Sequence, residues 1–191
     1  MAGTAVFGGT FDPVHLGHIK TINAVYNTLK PERILFIPAK IPPFKLDQKI
    51  TPDFHRVNML NLALKTYPEY SIVEFELNQN EISYTYHTLK YLKRYYSRIK
   101  LIIGYDNYLA FEKWFKFEEV LEMVDLIVMR RATDLTESKH KIPATFADTP
   151  LIDISSTDIR TRVSEGRSIS EMVPCEVEEY IKKNGLYLNN D

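Results

Sequence analysis

Sulfur chemistry is almost absent from this chain. A single cysteine, Cys175, excludes an internal disulfide framework and any multi-cysteine metal centre, and it suits a reducing cytoplasm. Glycine is scarce too. The seven residues, at positions 3, 8, 9, 17, 104, 166 and 185, spell neither G-x-G-x-x-G nor the P-loop G-x-x-x-x-G-K-[ST], so both common nucleotide-phosphate motifs are missing. No run approaches the ~20 apolar residues that span a bilayer, and Met1-Ala2-Gly3-Thr4 leads into the first apolar run without a signal-peptide core. Neither sign of charge dominates: 24 basic and 25 acidic residues leave a net −1. No overall field therefore draws the chain to nucleic acid or to an anionic membrane, and any phosphate it binds must be held by a local site.

What is present suffices for an ordinary core. With 191 residues, 45% of them hydrophobic and 12% aromatic, one compact domain over 1–191 is expected. Continuous apolar runs at 4–7, 33–37, 71–75, 99–103, 125–129 and 150–154 read as strands covered on both faces. Helical patterns separate them. Ile19, Ile22, Val25, Tyr26 and Leu29 face inward in the first. Phe54, Val57, Leu60 and Leu64 do so in a second, which starts at Thr51-Pro52-Asp53. A third begins at Ser83 as its cap, a fourth runs over 109–121, another starts at Ser155, and the last covers 175–183 before Asn184-Gly185. Residues 132–149 read as polar loop. Such alternation predicts an α/β, Rossmann-like fold, a mostly parallel sheet with helices on both faces and a small C-terminal helical segment. Ligands then bind at the carboxyl ends of the strands, where the order reverses.

The unusual residues sit at those ends. After the first strand comes Gly8-Gly9-Thr10-Phe11-Asp12-Pro13-Val14-His15-Leu16-Gly17-His18, a glycine turn running into a helix start, where backbone N–H groups and the helix dipole suit an anion. His15 and His18 fall on one face of the first helical turn and can each donate to a phosphate oxygen. Gly17 is expected to clear space for that phosphate. Two histidines at this spacing can also hold a metal, but His55, His87 and His140 are scattered and no cysteine is near. Trp114 taken alone is either core or a platform for a base. Arg160 is either a fixed positive charge for a phosphate or a helix-surface ion pair.

Gly8-Gly9-Thr10-Phe11-Asp12-Pro13-x-His15-x-Gly17-His18, together with Ile154-Ser155-Ser156-Thr157-x-Ile159-Arg160, resembles the nucleotidyltransferase superfamily marked by H-x-G-H and I-S-S-T-x-I-R. Three further stretches are similar to bacterial nicotinate mononucleotide adenylyltransferases: 38–45, Ser83-Tyr84-Thr85-x-x-Thr88-Leu89, and Gly104-x-Asp106 followed by Lys113-Trp114. Phe44, Phe115 and the glycine-free Arg130-Arg131-Ala132 depart from the usual pattern. The resemblance implies adenylyl transfer from ATP to nicotinate mononucleotide in NAD synthesis, with Mg²⁺ carried by the ATP and no protein-held metal. It implies ATP contacts from Gly8, Gly9, Thr10, Phe11, His15, Gly17, His18, Ser155, Ser156, Thr157 and Arg160. Of these, His15, His18 and Arg160 are catalytic. Lys45, Thr85, Gly104, Asp106 and Trp114 are placed on the mononucleotide, Lys45 toward its phosphate and Asp106 toward its sugar. Three alternatives stay open: a phosphopantetheine acceptor, the amide mononucleotide, or a nucleotide-sensing module without turnover. Self-association into a homo-oligomer is left open as well.

Overall fold

A computed structural model describes residues 3–43, 49–130 and 142–188. Six strands, β1 (Thr4–Gly9), β2 (Arg33–Pro38), β3 (Tyr70–Ile72), β4 (Ile99–Gly104), β5 (Val124–Arg130) and β6 (Thr145–Asp148), form one sheet in the order β3-β2-β1-β4-β5-β6. Every neighbouring pair is parallel. The helices are α1 (Leu16–Leu29), α2 (Asp53–Leu64), α3 (Thr85–Leu92), α4 (Tyr105–Leu109), α5 (Phe117–Met123), α6 (Ser156–Ser164) and α7 (Cys175–Lys183).

The two-residue period of the strands divides the core. Ala5, Phe7, Ile34, Phe36, Ile102 and Ile127 pack on one face against Ile19, Ile22 and Val25 of α1, Met59 and Leu60 of α2, and Val177 and Ile181 of α7. Val6, Leu35, Ile37, Leu101, Ile103 and Val128 pack on the other against Leu89 and Leu92 of α3 and Val120 of α5. Residues 34–37 are at most 1% exposed. Burying a side chain of that size contributes about 1.5–3 kcal/mol, which explains why the run carries no polar residue.

The sheet splits where the order reverses. The β1/β4 ladder ends at Phe7↔Ile102, yet β1 stays paired with β2 as far as Gly9↔Pro38 and β4 stays paired with β5 as far as Gly104↔Met129. Each strand follows its outer neighbour, and a crevice opens between Gly8-Gly9 and Gly104.

Several elements depart from the sequence pattern. In α2, Phe54 is 60% exposed whereas Arg56 and Met59 are buried; the helix is rotated because Arg56 is drawn under the first turn. Proline occupies the N-cap of that helix and not its first helical position. Tyr84, not Ser83, precedes α3. The Ser83 hydroxyl oxygen instead accepts from the backbone N–H groups of Lys40 and Ile41 at 3.0 and 3.1 Å, pinning the segment after β2. The single helix expected over 109–121 is broken into α4, a 3-10 turn at Phe111–Lys113 and α5, with Lys116 left-handed at φ 54°. β3 is shorter than expected and gives way to a 3-10 turn at Glu76–Asn78. The last strand is at Thr145–Asp148, inside the stretch read as loop, and not at 150–154. Thr149 still donates to the Arg130 carbonyl at 2.9 Å; Pro150 has no N–H to continue the ladder. Among the described residues no helix is long and apolar enough to cross a membrane.

Candidate active site

His15 is the N-cap of α1 and His18 its third residue, and the two close a reciprocal cap. The His18 N–H donates to Nδ1 of His15 and the His15 N–H donates to Nδ1 of His18, both at 3.3 Å. The rings stack with centroids 3.6 Å apart. A ring whose Nδ1 accepts carries its proton on Nε2, so each imidazole is held in the tautomer that leaves an Nε2–H donor. His15 is 6% exposed, and burial lowers its pKa to about 4; near neutrality it is an uncharged donor.

That shift has a consequence for stability. The unfolded chain binds the His15 proton at about pH 6.5 and the folded chain only near 4. The stabilisation is therefore complete above pH 6.5 and is lost as pH falls toward 4, by about 3 kcal/mol. Urea unfolding at pH 7 and at pH 4.5 measures it as the difference between wild type and His15→Asn, which keeps a capping oxygen but does not titrate. Loss of equal size in the two proteins would remove His15 as the source.

Gly17 faces this ring and not open space. A Cβ built there lies 2.8 Å from His15 Nδ1 and 2.9 Å from its Cε1, so the glycine makes room for His15, a reason for it beside the phosphate clearance expected from sequence. Gly9 does the same for Phe11, whose ring it would meet at 2.8 Å. Phe11 is 1% exposed and packs edge-on against Phe7 and His18, leaving only its backbone for a ligand. Its φ of 50° is left-handed, which costs a non-glycine residue roughly 1–2 kcal/mol and has to be held by surrounding contacts.

The late motif supplies part of that hold. Ser155 caps α6, its Oγ accepting from the Asp158 N–H at 3.0 Å. The Ser156 hydroxyl donates to the Pro13 carbonyl at 3.0 Å, and Arg160 Nη1 donates to the Asp12 carbonyl at 2.7 Å and Nη2 to Thr157 Oγ1 at 3.2 Å. Residues almost 150 positions apart are thus joined, but the Ser156 hydroxyl and one arm of Arg160 are spent on backbone and not aimed outward.

Two cavities meet at the sheet split, sharing Phe7 and Gly104. One, of about 250 Å³, is lined by His15, Gly17, His18, Thr21, Asp106 and Ile154 among others. The other, of about 390 Å³, is lined by Gly8, Gly9, Thr10, Pro42, Pro43, Glu76, Ser83, Thr85, Thr88, Asn107, Lys113 and Trp114 among others. Gly8 and Gly104 have open space where a side chain would stand. Asp106 lies in the histidine cavity, apart from Thr85 and Trp114. The Trp114 ring rests on Phe111 with centroids 4.9 Å apart, its backbone N–H donates to the Phe111 carbonyl at 2.9 Å, and its buried Nε1 has no hydrogen-bond partner among the described residues. Lys45, Phe44, Arg131 and Ala132 lie outside the described residues. Missed at the level of sequence were Glu76 and Arg56. Glu76 is a buried carboxyl pushed up by burial, with Thr88 and Ser83 pulling the other way; Arg56 is a wholly buried cation. An arginine on the inner face of an amphipathic helix is the one signal that could have flagged the second.

Comparison with known proteins gives the family and the fold. Residues 6–162 match the cytidylyltransferase-like family. A Hydrogenobaculum protein named "Probable nicotinate-nucleotide adenylyltransferase" is 41% identical over 97% of this chain and 98% of its own, and the nicotinate-nucleotide adenylyltransferase of Bacillus subtilis is 36% identical over 98% and 99%. The fold matches that of the Plasmodium falciparum nicotinic acid mononucleotide adenylyltransferase complexed with NaAD, with a TM-score of 0.79 at 19% identity over 98% of both chains. With a family match over most of its length and relatives this similar from end to end, the chain belongs to the cytidylyltransferase-like family, in its nicotinate-nucleotide adenylyltransferase branch.

Proposed function

We propose that the histidine cavity takes the phosphates of ATP and the larger cavity takes nicotinate mononucleotide, whose phosphate meets the α-phosphate of ATP at the sheet split. The enzyme transfers the adenylyl group of ATP to nicotinate mononucleotide. A phosphate oxygen of the mononucleotide forms a bond to the α-phosphorus, the bond to the β-phosphate breaks, and pyrophosphate leaves with that electron pair. The attacking phosphate is already an anion at neutral pH, so no general base is required. What the chain supplies is alignment of two anions and donors for the charge that builds on the α-phosphate.

The observation that carries this reading is the junction of the two cavities at Phe7 and Gly104, directly beside the stacked histidines. His15 and His18 donate through Nε2–H. The N–H groups at the start of α6, with Thr157 and the remaining arm of Arg160, serve the outer phosphates. Asp106 belongs with the nucleotide side and not, as the resemblance implies, with the mononucleotide sugar. Mg²⁺ would arrive on the triphosphate, where it would supply charge neutralisation for the leaving pyrophosphate. On the acceptor side, Thr85 and the backbone around Trp114 serve the nicotinate carboxylate, and Lys113 adds a cation to the wall. The upward shift of Glu76 favours its uncharged form, which lessens the repulsion an acidic ring would meet. Both ends of the chain build the site, so we treat 1–191 as one domain. We place it in the cytoplasm, where its exposed Cys175 would stay reduced.

The test is pyrophosphate release with ATP, Mg²⁺ and each acceptor in turn. Nicotinate mononucleotide is expected to turn over at least tenfold faster than the amide, whose NH₂ would face donors built for a carboxylate. Turnover with phosphopantetheine in place of nicotinate mononucleotide would refute the acceptor assignment, and ATP binding without release for any acceptor would favour the sensor.

A further inference from the structure

The turn at 10–13 is gripped by more than the two motifs. Its carbonyls are taken one after another by side chains: Thr10 by Arg56 Nη1 at 2.6 Å, Asp12 by Arg160 and Pro13 by Ser156. Arg56 stands on α2, outside either motif, and is 0% exposed. Its Nε donates to the Thr51 carbonyl at 3.0 Å and its Nη2 pairs with Asp53. Burying a guanidinium completely is costly, and an apolar side chain of like volume would fill the space without that cost. The fork does what an apolar residue cannot: it fixes the Thr10 carbonyl relative to Thr51. A trans peptide aims its N–H opposite to its C=O, so the direction of the Phe11 N–H is fixed with it.

A second hold comes from the other end of the chain. The Tyr187 hydroxyl donates to Asp12 Oδ1 at 2.7 Å, and the Thr51 N–H donates to Oδ2 at 3.1 Å. Asp12 is 4% exposed. Burial, then the Asp12 charge, pushes the Tyr187 phenol up, so it stays a donor across the working pH range. Neither Arg56 nor Tyr187 lines the two substrate cavities.

We infer that Arg56 and Tyr187 are positioning residues for adenylyl transfer: they set the turn from Thr10 to Pro13, and through it place His15 and His18 on the nucleotide, without touching it. This rests on the reading that those histidines grip ATP.

The test is steady-state kinetics of Arg56→Lys and Tyr187→Phe with each substrate varied, thermal melts to score folding, and His18→Ala in parallel. Losing one charged or one neutral hydrogen bond predicts a fall in kcat/KM for ATP of roughly tenfold for Arg56→Lys and about threefold to tenfold for Tyr187→Phe. KM for nicotinate mononucleotide should move less than the ATP parameters, because of the braced turn only Thr10 lines the larger cavity, whereas both histidines placed by the turn line the other. Millimolar guanidinium should restore part of the activity of Arg56→Ala at a temperature where its melt shows it fully folded, so that the gain lies in placement of the turn and not in the amount of folded protein. Should Arg56→Lys fail to fold, Tyr187→Phe, which loses one oxygen, decides. The inference is overturned by folded variants with ATP parameters like wild type, or by equal losses for both substrates that track unfolded protein. If His18→Ala also stays active, the grip itself has been misassigned; if it alone loses activity, only the positioning role falls.

Discussion

His18→Ala is expected to lower kcat by about 10²–10³-fold, the loss that follows removal of one donor aimed at developing charge, equivalent to roughly 3–4 kcal/mol of barrier. His18 is the half-buried member of the pair and lines the cavity at the sheet split, so of the two rings it is better placed to follow the α-phosphate. Stability should change little. The substitution removes the acceptor for the His15 N–H, a capping loss of about 0.5–2 kcal/mol, which lowers the melting temperature of a chain this size by a few degrees. His18→Gln, which keeps an N–H donor, should recover part of the rate. Stopped-flow pyrophosphate release beside a thermal melt separates the two effects. A variant with wild-type kcat would take His18 out of the chemistry and move attention to His15 or Arg160.

Gly17→Ala is expected to lose about 10²-fold in activity and, against the usual trend, to lose stability as well. Alanine in a helix normally gains about 1 kcal/mol over glycine. Here the added carbon would stand 2.8 Å from the His15 ring. That ring cannot swing away, since it is buried, stacked on His18 and bonded through Nδ1 to the His18 N–H. Forced overpacking of this kind costs about 1–3 kcal/mol, and the displaced ring misaims its Nε2–H. Urea unfolding without nucleotide distinguishes the two reasons for the glycine. Less stable and inactive means it makes room for His15; more stable and inactive means it makes room for phosphate, and the packing explanation fails.

Much of this was legible beforehand because strands buried on both faces leave continuous apolar runs, and β1, β2, β4 and β5 were found on that ground. The ends of the cleft were legible too, since glycine, histidine and serine interrupt those runs at the sites where a parallel sheet binds ligands. Where pattern failed, a tertiary contact outweighed it. Phe54 faces water because Arg56 is drawn inward, and β6 forms before Pro150 because that residue has no N–H for the ladder. Trp114 is carried to the cavity by a break in the helix expected over 109–121.

By itself, then, the sequence determined the α/β alternation, the histidine pair at a helix start and the serine-capped helix near its end. Each of these depends on residues a few positions apart, within reach of local propensity and capping. Only the tertiary structure decided that Gly17 shelters His15, that Ser156 and Arg160 bind the Pro13 and Asp12 carbonyls, that Asp106 lines the same cavity as the histidines, and that Arg56 and Tyr187 hold the turn. Those are contacts between groups as much as 175 residues apart. They exist because folding brings buried carbonyls and a carboxylate out of water, and each must then find its donor wherever in the chain one lies.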